Sequence, residues 1–411
     1  MTDARRRAAA TARVLVLAAL SFLLLVPGAA RAADDDAPTI QAPAAIVVEL
    51  STGDVVFGRK QDQQRGIAST TKLMTALVAL EHERDLTKRF RVPAYAASAG
   101  ESLANLHAGD RMTMEDLLGG MLLPSGNDAA AAIARSVGGS VSAFVGLMND
   151  RARAIGLDAR FRNPIGLDAP GHHASAADLV KITLLLRRFP AFRAIVDRKT
   201  MTLRSATPAI TVENRNTLVQ EYPWVDGVKT GHTRASGYSL VGSGRRRGIS
   251  VVSVVLGDPT EAARDSDSIA LLRYATDQYR RTTALKRGTV VGRPALRYRD
   301  EDVAVVAASS VVRTARRDEQ LTTRVLGVPK DVEGPLRRGA RLGTIEVLQR
   351  GRVVARIPAV TATEVRAATF WQRLDDGLER GWVRFLIAVA VVCLLVLAFL
   401  VRRSRRTHRV R

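Results

Sequence analysis

The chain has 411 residues, 46% of them hydrophobic, and a formal net charge of +22. This composition is typical of a globular protein with room for two domains, and it excludes a wholly disordered chain. The charge comes mainly from arginine and is partly concentrated at the two ends, without a basic stretch interleaved with aromatic residues, so nucleic-acid binding is not expected.

The first 33 residues have the features of an export signal. Arginines precede an apolar run over residues 14–26, and small residues at Ala30-Arg31-Ala32 provide a cleavage site. We therefore predict a signal peptide over residues 1–33. The alternative, an uncleaved membrane anchor, is disfavoured because the run is shorter than the roughly 20 residues that a bilayer core requires.

Residues 34–285 combine strand and helix patterns into one α+β domain. Residues 45–50 and 55–57 predict two strands joined by Ser51-Thr52-Gly53-Asp54, and a helix without glycine or proline follows from Thr70. Further helices are predicted over residues 112–134 with a break at 123–127, then 141–155, 176–188 and 261–279, and strands over 225–229, 238–243 and 249–256. We expect the helices to surround an antiparallel sheet with which they share a core.

Ser69 and Lys72 are the first candidates for chemistry. Ser69 stands where the helix begins, as an N-cap or first-turn residue, and three residues of spacing place Lys72 on the same helix face. A lysine desolvated among apolar neighbours can lose its proton and act as a base for a serine nucleophile. The alternative is structural: Ser69 caps the helix and Lys72 extends its amine to water.

The C-terminal third predicts a second domain and a membrane helix. Residues 286–365 carry short β-type runs punctuated by Pro335 and several glycines, which favours a small all-β domain that serves as a spacer or docking module. Residues 366–384 form a juxtamembrane linker, and residues 385–401 are uncharged, apolar and close to the length of a transmembrane helix. The arginine-rich tail over residues 402–411 places the C-terminus in the cytoplasm and the catalytic domain outside the membrane. The one cysteine, Cys393, lies in this helix, so neither a disulfide framework nor a cysteine-based metal site is expected.

Three short motifs occur once each and in a fixed order. They are Ser69-Thr70-Thr71-Lys72, Ser125-Gly126-Asn127 and Lys229-Thr230-Gly231. Together they resemble the active-site serine enzymes that recognise penicillin. The longer segments 68–75, 124–129 and 226–233 are similar to one branch, the low-molecular-mass penicillin-binding proteins that act as D-alanyl-D-alanine carboxypeptidases. The likeness covers roughly residues 43–279, and residues 334–347 look like that family's β-rich second domain.

The resemblance implies a fold, a reaction and residue roles. The fold would be that of β-lactamases and penicillin-binding proteins, and the reaction would remove the terminal D-alanine from peptidoglycan stem pentapeptides. Ser69 would attack the carbonyl between the two D-alanines, with neutral Lys72 taking its proton. Ser125 would pass a proton to the departing amine, and Asn127 would hold Lys72 and the substrate backbone. β-Lactam antibiotics would inhibit the enzyme, and no cofactor is implied.

The third motif would hold the substrate. Lys229 would attract the terminal carboxylate and lower the pKa of Lys72, Thr230 would donate a hydroxyl to the same carboxylate, and Gly231 would let substrate approach the strand edge. By family likeness, the backbone N–H groups of Ser69 and His232 would form the oxyanion hole.

Two further positions have alternative interpretations. Arg264 occupies the place where related enzymes keep an arginine for the substrate carboxylate, the alternative being a surface arginine. His172-His173 suggests a metal site, but adjacent side chains diverge and no third ligand is suitably spaced, so we expect a solvated loop there.

Other functions share these motifs. A class A β-lactamase uses a glutamate to activate the deacylating water, and residues 125–212 contain none. A D,D-transpeptidase uses the same residues, although the short catalytic region favours hydrolysis. A non-enzymatic, membrane-tethered wall-binding protein would be expected to have damaged motifs, and all three are intact.

Overall fold

In a computed structural model, the described residues are 37–379 and 381–407, with side chains described for 37–374 and 385–402. The chain divides into two compact units, the first ending at Arg280 and the second beginning at Arg281. The predicted signal peptide, residues 1–33, lies outside the described residues, as do residues 408–411 of the predicted basic tail.

The first unit contains eight described helices, one 3₁₀ turn and nine described strands. The helices are α1 (Lys72–His82), α2 (Met114–Leu122), α3 (Asn127–Gly138), α4 (Val141–Ala154), α5 (Ala176–Leu186), α6 (Pro190–Val196), α7 (Leu218–Glu221) and α8 (Glu261–Asp277), and the 3₁₀ turn is Ala68–Thr71. The strands are β1 (Ala44–Glu49), β2 (Val55–Arg59), β3 (Arg89–Arg91), β4 (Arg111–Thr113), β5 (Thr200–Leu203), β6 (Ile210–Glu213), β7 (Val225–Thr233), β8 (Gly237–Arg246) and β9 (Ile249–Asp258).

A five-stranded antiparallel sheet in the order β2-β1-β9-β8-β7 separates two cores. The two-residue period of a strand sends neighbours to opposite faces, so Ile46 packs with α1 while Val47 packs with α8. The strand β7, which carries the third motif, lies at one edge of the sheet. The predicted α+β class, with helices around an antiparallel sheet, is confirmed.

Helix α1 is the central helix of the larger core. Every residue from Lys72 to Leu80 is buried, which agrees with the apolar sequence on nearly all sides of this helix. Because α1 cannot move without disturbing its neighbours on all sides, the side chains at its first turn are held in place.

Several elements differ from the sequence predictions. The pattern over residues 112–134 begins as strand β4 and becomes helix only at Met114, where the Thr113 side chain accepts a hydrogen bond from Asp116 N. Helix α6 and the strand pairs β3–β4 and β5–β6 were not predicted, because strands of three or four residues and a helix of seven are too short to show a period.

The second unit contains the remaining described strands, the first of which begins two residues before the boundary, and two described helices. The strands are β10 (Tyr279–Leu285), β11 (Val290–Gly292), β12 (Ala295–Leu296), β13 (Val305–Ala307), β14 (Val311–Arg316), β15 (Thr322–Leu326), β16 (Asp331–Val332), β17 (Arg341–Gln349) and β18 (Arg352–Thr361), and the helices are α9 (Phe370–Glu379) and α10 (Gly381–Thr407). A five-stranded sheet in the order β11-β13-β18-β17-β15 encloses a small core that includes Val305, Ile345 and Val347. The predicted all-β fold of the second domain is therefore confirmed.

The C-terminal helix is apolar along most of its length. Within α10 the window Phe385–Arg402 is long and apolar enough to cross a membrane, and none of it is buried against the rest of the chain. Such a helix is consistent with membrane anchoring. The preceding segment, which we described as a linker, contains the amphipathic helix α9 with Phe370 and Trp371 exposed.

Candidate active site

Ser69 lies in the 3₁₀ turn that leads directly into α1. Of the two expected positions, N-cap or first-turn residue, Ser69 occupies the second, and neither this turn nor α1 has a side-chain cap. Instead, Ser69 Oγ lies 3.0 Å from Lys72 Nζ. The preceding Ala68 has φ +44°, a left-handed conformation that a non-glycine residue adopts only where its surroundings impose it.

Lys72 is fully buried, so the structural alternative in which its amine extends to water is wrong. Its Nζ lies 2.7 Å from Asn127 Oδ1, 2.6 Å from the Ile165 carbonyl oxygen and 3.0 Å from Ser69 Oγ. The first two partners are oxygens that only accept hydrogen bonds. A neutral amine has two N–H groups and one lone pair; if the N–H groups serve these acceptors, the lone pair is left for the serine hydroxyl.

Burial lowers the pKa of Lys72 from its ordinary value to about 7. The negative charges of Asp128 and Glu101 oppose this change, and the positive charge of Arg215 adds to it. A substantial fraction of the amine is therefore uncharged at neutral pH, which a general base requires.

A tight loop brings the Ile165 carbonyl to Lys72. Asn163 Oδ1 accepts hydrogen bonds from the backbone N–H groups of Ile165 and Gly166, which fixes the turn. Gly166 has φ +90°, and a Cβ there would lie 2.0 Å from the Ala68 carbonyl oxygen. Only glycine permits this approach of the loop to the 3₁₀ turn.

The second motif forms the turn between α2 and α3. Asn127 begins α3 and reaches Lys72, while Ser125 has φ +68° and a buried hydroxyl that makes no hydrogen bond to the described residues. A buried hydroxyl without a hydrogen-bond partner is uncommon in a folded protein, and a catalytic role is one physical reason for it. The structure thus brings Ser69, Lys72 and Asn127 into direct contact.

The third motif lies on β7. Lys229 and Thr230 are buried, and Lys229 Nζ donates to the Thr230 carbonyl oxygen at 2.9 Å. A Cβ on Gly231 would lie 3.1 Å from Ser69 N and 3.1 Å from the Ile67 carbonyl oxygen. We predicted Gly231 for close approach of a substrate, but the missing side chain faces the 3₁₀ turn, so its physical reason is the fit of β7 against that turn.

Lys229 and Lys72 influence each other differently from our expectation. Burial and then the charge of Lys72 place the pKa of Lys229 well below its ordinary value, with further contributions from Arg215 and Arg264. Among nearby cations it is Arg215, rather than Lys229, that lowers the pKa of Lys72.

His232 follows on β7 and has an exposed side chain. Its ring stacks on Tyr238 with 3.9 Å between the ring centroids. No hydrogen bond joins this ring to Ser69 or Lys72 in the described chain. The predicted role of His232 depends on its backbone N–H and stays a prediction.

The structure does not support direct carboxylate binding by Arg264. This residue is 2% exposed, and its guanidinium donates to Glu261 Oε1 at 2.9 Å and to Asp265 Oδ1 at 2.8 Å. These two carboxylates occupy the Nε and Nη2 donors of the guanidinium. The charge of Arg264 still acts on Lys229 from its buried position.

Two residues at the site were not predicted from the sequence. Arg215 lies in the loop after β6, donates to Ser102 Oγ at 2.8 Å and influences both lysines. Glu101 lies in an irregular segment and accepts a hydrogen bond from Asn127 Nδ2 at 2.8 Å. Neither belongs to a recognisable motif, and nothing in a single sequence indicates that these loops converge.

His172 also differs from the prediction. It is 8% exposed, not solvated, and its Nε2 lies 2.8 Å from Thr71 Oγ1. Its Nδ1 accepts from Arg162 N, so Nε2 carries the proton and donates to the threonine. Burial lowers the pKa of His172 to about 4. The ring is therefore neutral at pH 7, and it contacts the first motif through Thr71.

The predicted role of Lys72 as the base implies that the rate of acylation depends on pH. Only the uncharged amine can accept the Ser69 proton, and its pKa is about 7, so the rate should rise between pH 5 and 8 and level off above that. The second-order rate constant for labelling by a fluorescent penicillin, measured from pH 5 to 9, tests this. A rate that is constant or falls between pH 5 and 8 would contradict it.

Comparison with known proteins gives matches over both units. A family model described as D-alanyl-D-alanine carboxypeptidase matches residues 31–260, and one described as penicillin-binding protein 5, C-terminal domain, matches residues 279–367. The D-alanyl-D-alanine carboxypeptidase DacD of Escherichia coli is 32% identical over 359 residues, which cover 82% of this chain and 90% of that protein.

Two solved structures are also similar to this chain. The structure of penicillin binding protein 5 from Haemophilus influenzae has a TM-score of 0.58 at 28% identity, covering 80% of this chain and 98% of that one. The DD-transpeptidase of Streptomyces K15 has a TM-score of 0.56 at 31% identity, covering 58% of this chain and 98% of its own.

Proposed function

The chain belongs to the D-alanyl-D-alanine carboxypeptidase family, and we propose that it removes the terminal D-alanine from peptidoglycan pentapeptides through an acyl-enzyme on Ser69. The observation that carries this proposal is the buried amine of Lys72, 3.0 Å from Ser69 Oγ, with two acceptor oxygens as its other partners.

Acylation begins with proton transfer from Ser69 Oγ to Lys72 Nζ. The oxygen then bonds to the carbonyl carbon between the two D-alanines, and the tetrahedral oxyanion is held by backbone N–H groups. Ser69 N and His232 N are the proposed donors, and one such donor is typically worth about 3 kcal/mol of barrier. The place of Gly231 against Ser69 N supports the pairing, since it brings β7 next to the nucleophile.

Breakdown of the intermediate requires a proton on the departing amine. Ser125 is the proposed route, because its hydroxyl is buried and makes no hydrogen bond to the described residues. The proton taken by Lys72 passes through Ser125 to the D-alanine nitrogen as the C–N bond breaks. Water then attacks the ester, releases the shortened peptide and restores the serine.

The terminal carboxylate of the substrate is proposed to bind among Lys229, Thr230 and Arg215. Lys229 is buried with one hydrogen bond among the described residues, so its remaining donors can serve a ligand. A carboxylate beside it would raise its lowered pKa and favour its charged form. Arg215 supplies the exposed guanidinium that Arg264 cannot, because Arg264 is held by two acidic side chains.

The direct test uses the purified full-length enzyme in detergent. We expect release of D-alanine from a peptide ending in D-Ala-D-Ala, and loss of that release after labelling with penicillin. Adding a glycine-type amine acceptor measures the ratio of transfer to hydrolysis. Hydrolysis should dominate, and a ratio dominated by transfer would replace this proposal with a D,D-transpeptidase, a candidate favoured by the likeness to the Streptomyces K15 structure.

The hydrogen bonds of Glu101 are a second reason to disfavour a β-lactamase activity. The structure brings Glu101 to the site from outside the sequence window 125–212. Its Oε2 accepts from Tyr95 Oη and Asn127 Nδ2, and its Oε1 accepts from Ser98 N. A carboxylate occupied by three donors is a poor base for a deacylating water, so recovery from penicillin should take minutes or longer.

The membrane arrangement is also a proposal. We infer that α10 crosses the cell membrane once, with the catalytic unit outside and the arginine-rich C-terminus in the cytoplasm. Its apolar window, Phe385–Arg402, and the arginines after it support this orientation.

A further inference from the structure

Glu101 is an ionised carboxylate at the edge of the catalytic contacts. Burial alone would raise the pKa of Glu101, but hydrogen bonds from Tyr95 and Asn127 outweigh burial and lower it. Its Oε2 lies 2.5 Å from Tyr95 Oη and 2.8 Å from Asn127 Nδ2. An ionised carboxylate can only accept hydrogen bonds, so it must face the amide nitrogen of Asn127 rather than the amide oxygen.

The orientation of this amide decides the direction of the Lys72 lone pair. With Nδ2 towards Glu101, Oδ1 faces Lys72 Nζ at 2.7 Å and takes one of its two N–H groups, while the Ile165 carbonyl takes the other. If the amide were turned over, Nδ2 would meet Lys72 and attract its lone pair. The serine hydroxyl would then have no base.

We propose that Glu101 is a positioning residue for acylation, because its carboxylate holds the Asn127 amide with Oδ1 towards Lys72 and leaves the lone pair of the neutral amine for Ser69. This inference rests on the proposed role of Lys72 as the base. Glu101 itself touches neither the reacting hydroxyl nor the amine among the described contacts.

The segment that carries Glu101 is held independently of its side chain. Asn127 N donates to the Ser102 carbonyl oxygen at 2.8 Å, and Asp128 accepts from Ala104 N and Leu106 N at 2.9 Å each. Replacing the Glu101 side chain therefore leaves the backbone anchored, and the variants should fold.

Four charged or titratable groups surround Lys72. Asp128 on α3 and Glu101 raise its pKa, Arg215 from the loop after β6 lowers it, and Lys229 faces the same site from β7. Removing the charge of Glu101 should therefore move the acid limb of the acylation profile to lower pH. Losing the hydrogen bond from Asn127 Nδ2 to Glu101 should instead lower the plateau of the acylation rate at high pH.

Two variants separate these effects. Glu101→Gln keeps an oxygen that can accept from Asn127, so its plateau should stay within about fivefold of the parent while the limb moves to lower pH. Glu101→Leu loses the acceptor, so its plateau should fall about 10- to 100-fold. Both are measured as the rate constant for labelling of the full-length protein by fluorescent penicillin from pH 5 to 9. Glu115→Gln, at an exposed glutamate on α2, is the matched control.

The outcomes distinguish this inference from the proposed function. Equal plateaus in Glu101→Leu and the parent, or equal losses in Glu101→Gln and Glu101→Leu, overturn the positioning role and leave Ser69 and Lys72 as assigned. Undiminished labelling of Ser69→Ala or Lys72→Met overturns the proposed function itself. Thermal unfolding by circular dichroism shows that each variant is folded before its rate is interpreted.

Discussion

Ser69→Ala is expected to abolish both penicillin labelling and release of D-alanine, with a loss of about 10⁴-fold or more. The alanine removes the only atom of this side chain that can form the acyl bond. The half-buried Ser69 side chain makes one hydrogen bond among the described contacts, to Lys72, so the fold should be retained. The measurement is covalent labelling of the full-length protein by fluorescent penicillin, followed on a denaturing gel.

The matched control is Ser142→Ala, at an exposed serine on α4. It should label as the parent does. If Ser69→Ala is still labelled at the parent rate, Ser69 is not the nucleophile, and a labelled peptide from elsewhere in the chain would identify the residue that is.

The second large effect is expected at Lys72. Lys72→Arg keeps a positive charge, but a guanidinium is always protonated and cannot accept the Ser69 proton. Lys72→Met removes the charge and the base together. Because a positioned general base contributes about 10²- to 10⁴-fold, both variants should acylate at least about 100-fold more slowly, and neither should show the rise near pH 7.

A lysine outside the site provides the control. Lys181 on α5 donates to the Gly156 carbonyl oxygen at 3.2 Å, and Lys181→Arg should acylate normally. Should Lys72→Met retain the parent rate and its pH profile, another group would be the base. The amine of Lys72 would then be a buried structural cation.

The pKa values of the two lysines at the site are linked, so the effect of one substitution on the rate does not belong to one residue alone. Lys72 lowers the pKa of Lys229, and Arg215 lowers the pKa of both. Changing Arg215 alters the pKa of both lysines, and changing Lys72 alters that of Lys229, so their effects on rate should not be additive. Rates for this site are best compared as whole pH profiles.

The sequence by itself determined the family, the order of the motifs and the main elements of the fold. The first two motifs contain Ser69, Lys72 and Asn127, and the structure places Lys72 in contact with the other two. The sequence could do this because a helical spacing of three residues and a proline-glycine turn are local properties of the chain. The apolar window of α10 was visible for the same reason.

Only the tertiary structure decided which other residues reach the site. Arg215, Glu101 and the Ile165 carbonyl come from loops without a period or motif, and their proximity depends on how distant segments fold together. The structure also argues against Arg264 as a direct ligand. The two acidic residues that bind its guanidinium are close to it in sequence, but the sequence does not show that their side chains contact it. The charge state of Lys72 is likewise a tertiary property, because burial is the largest cause of its lowered pKa and burial is created only by the completed core.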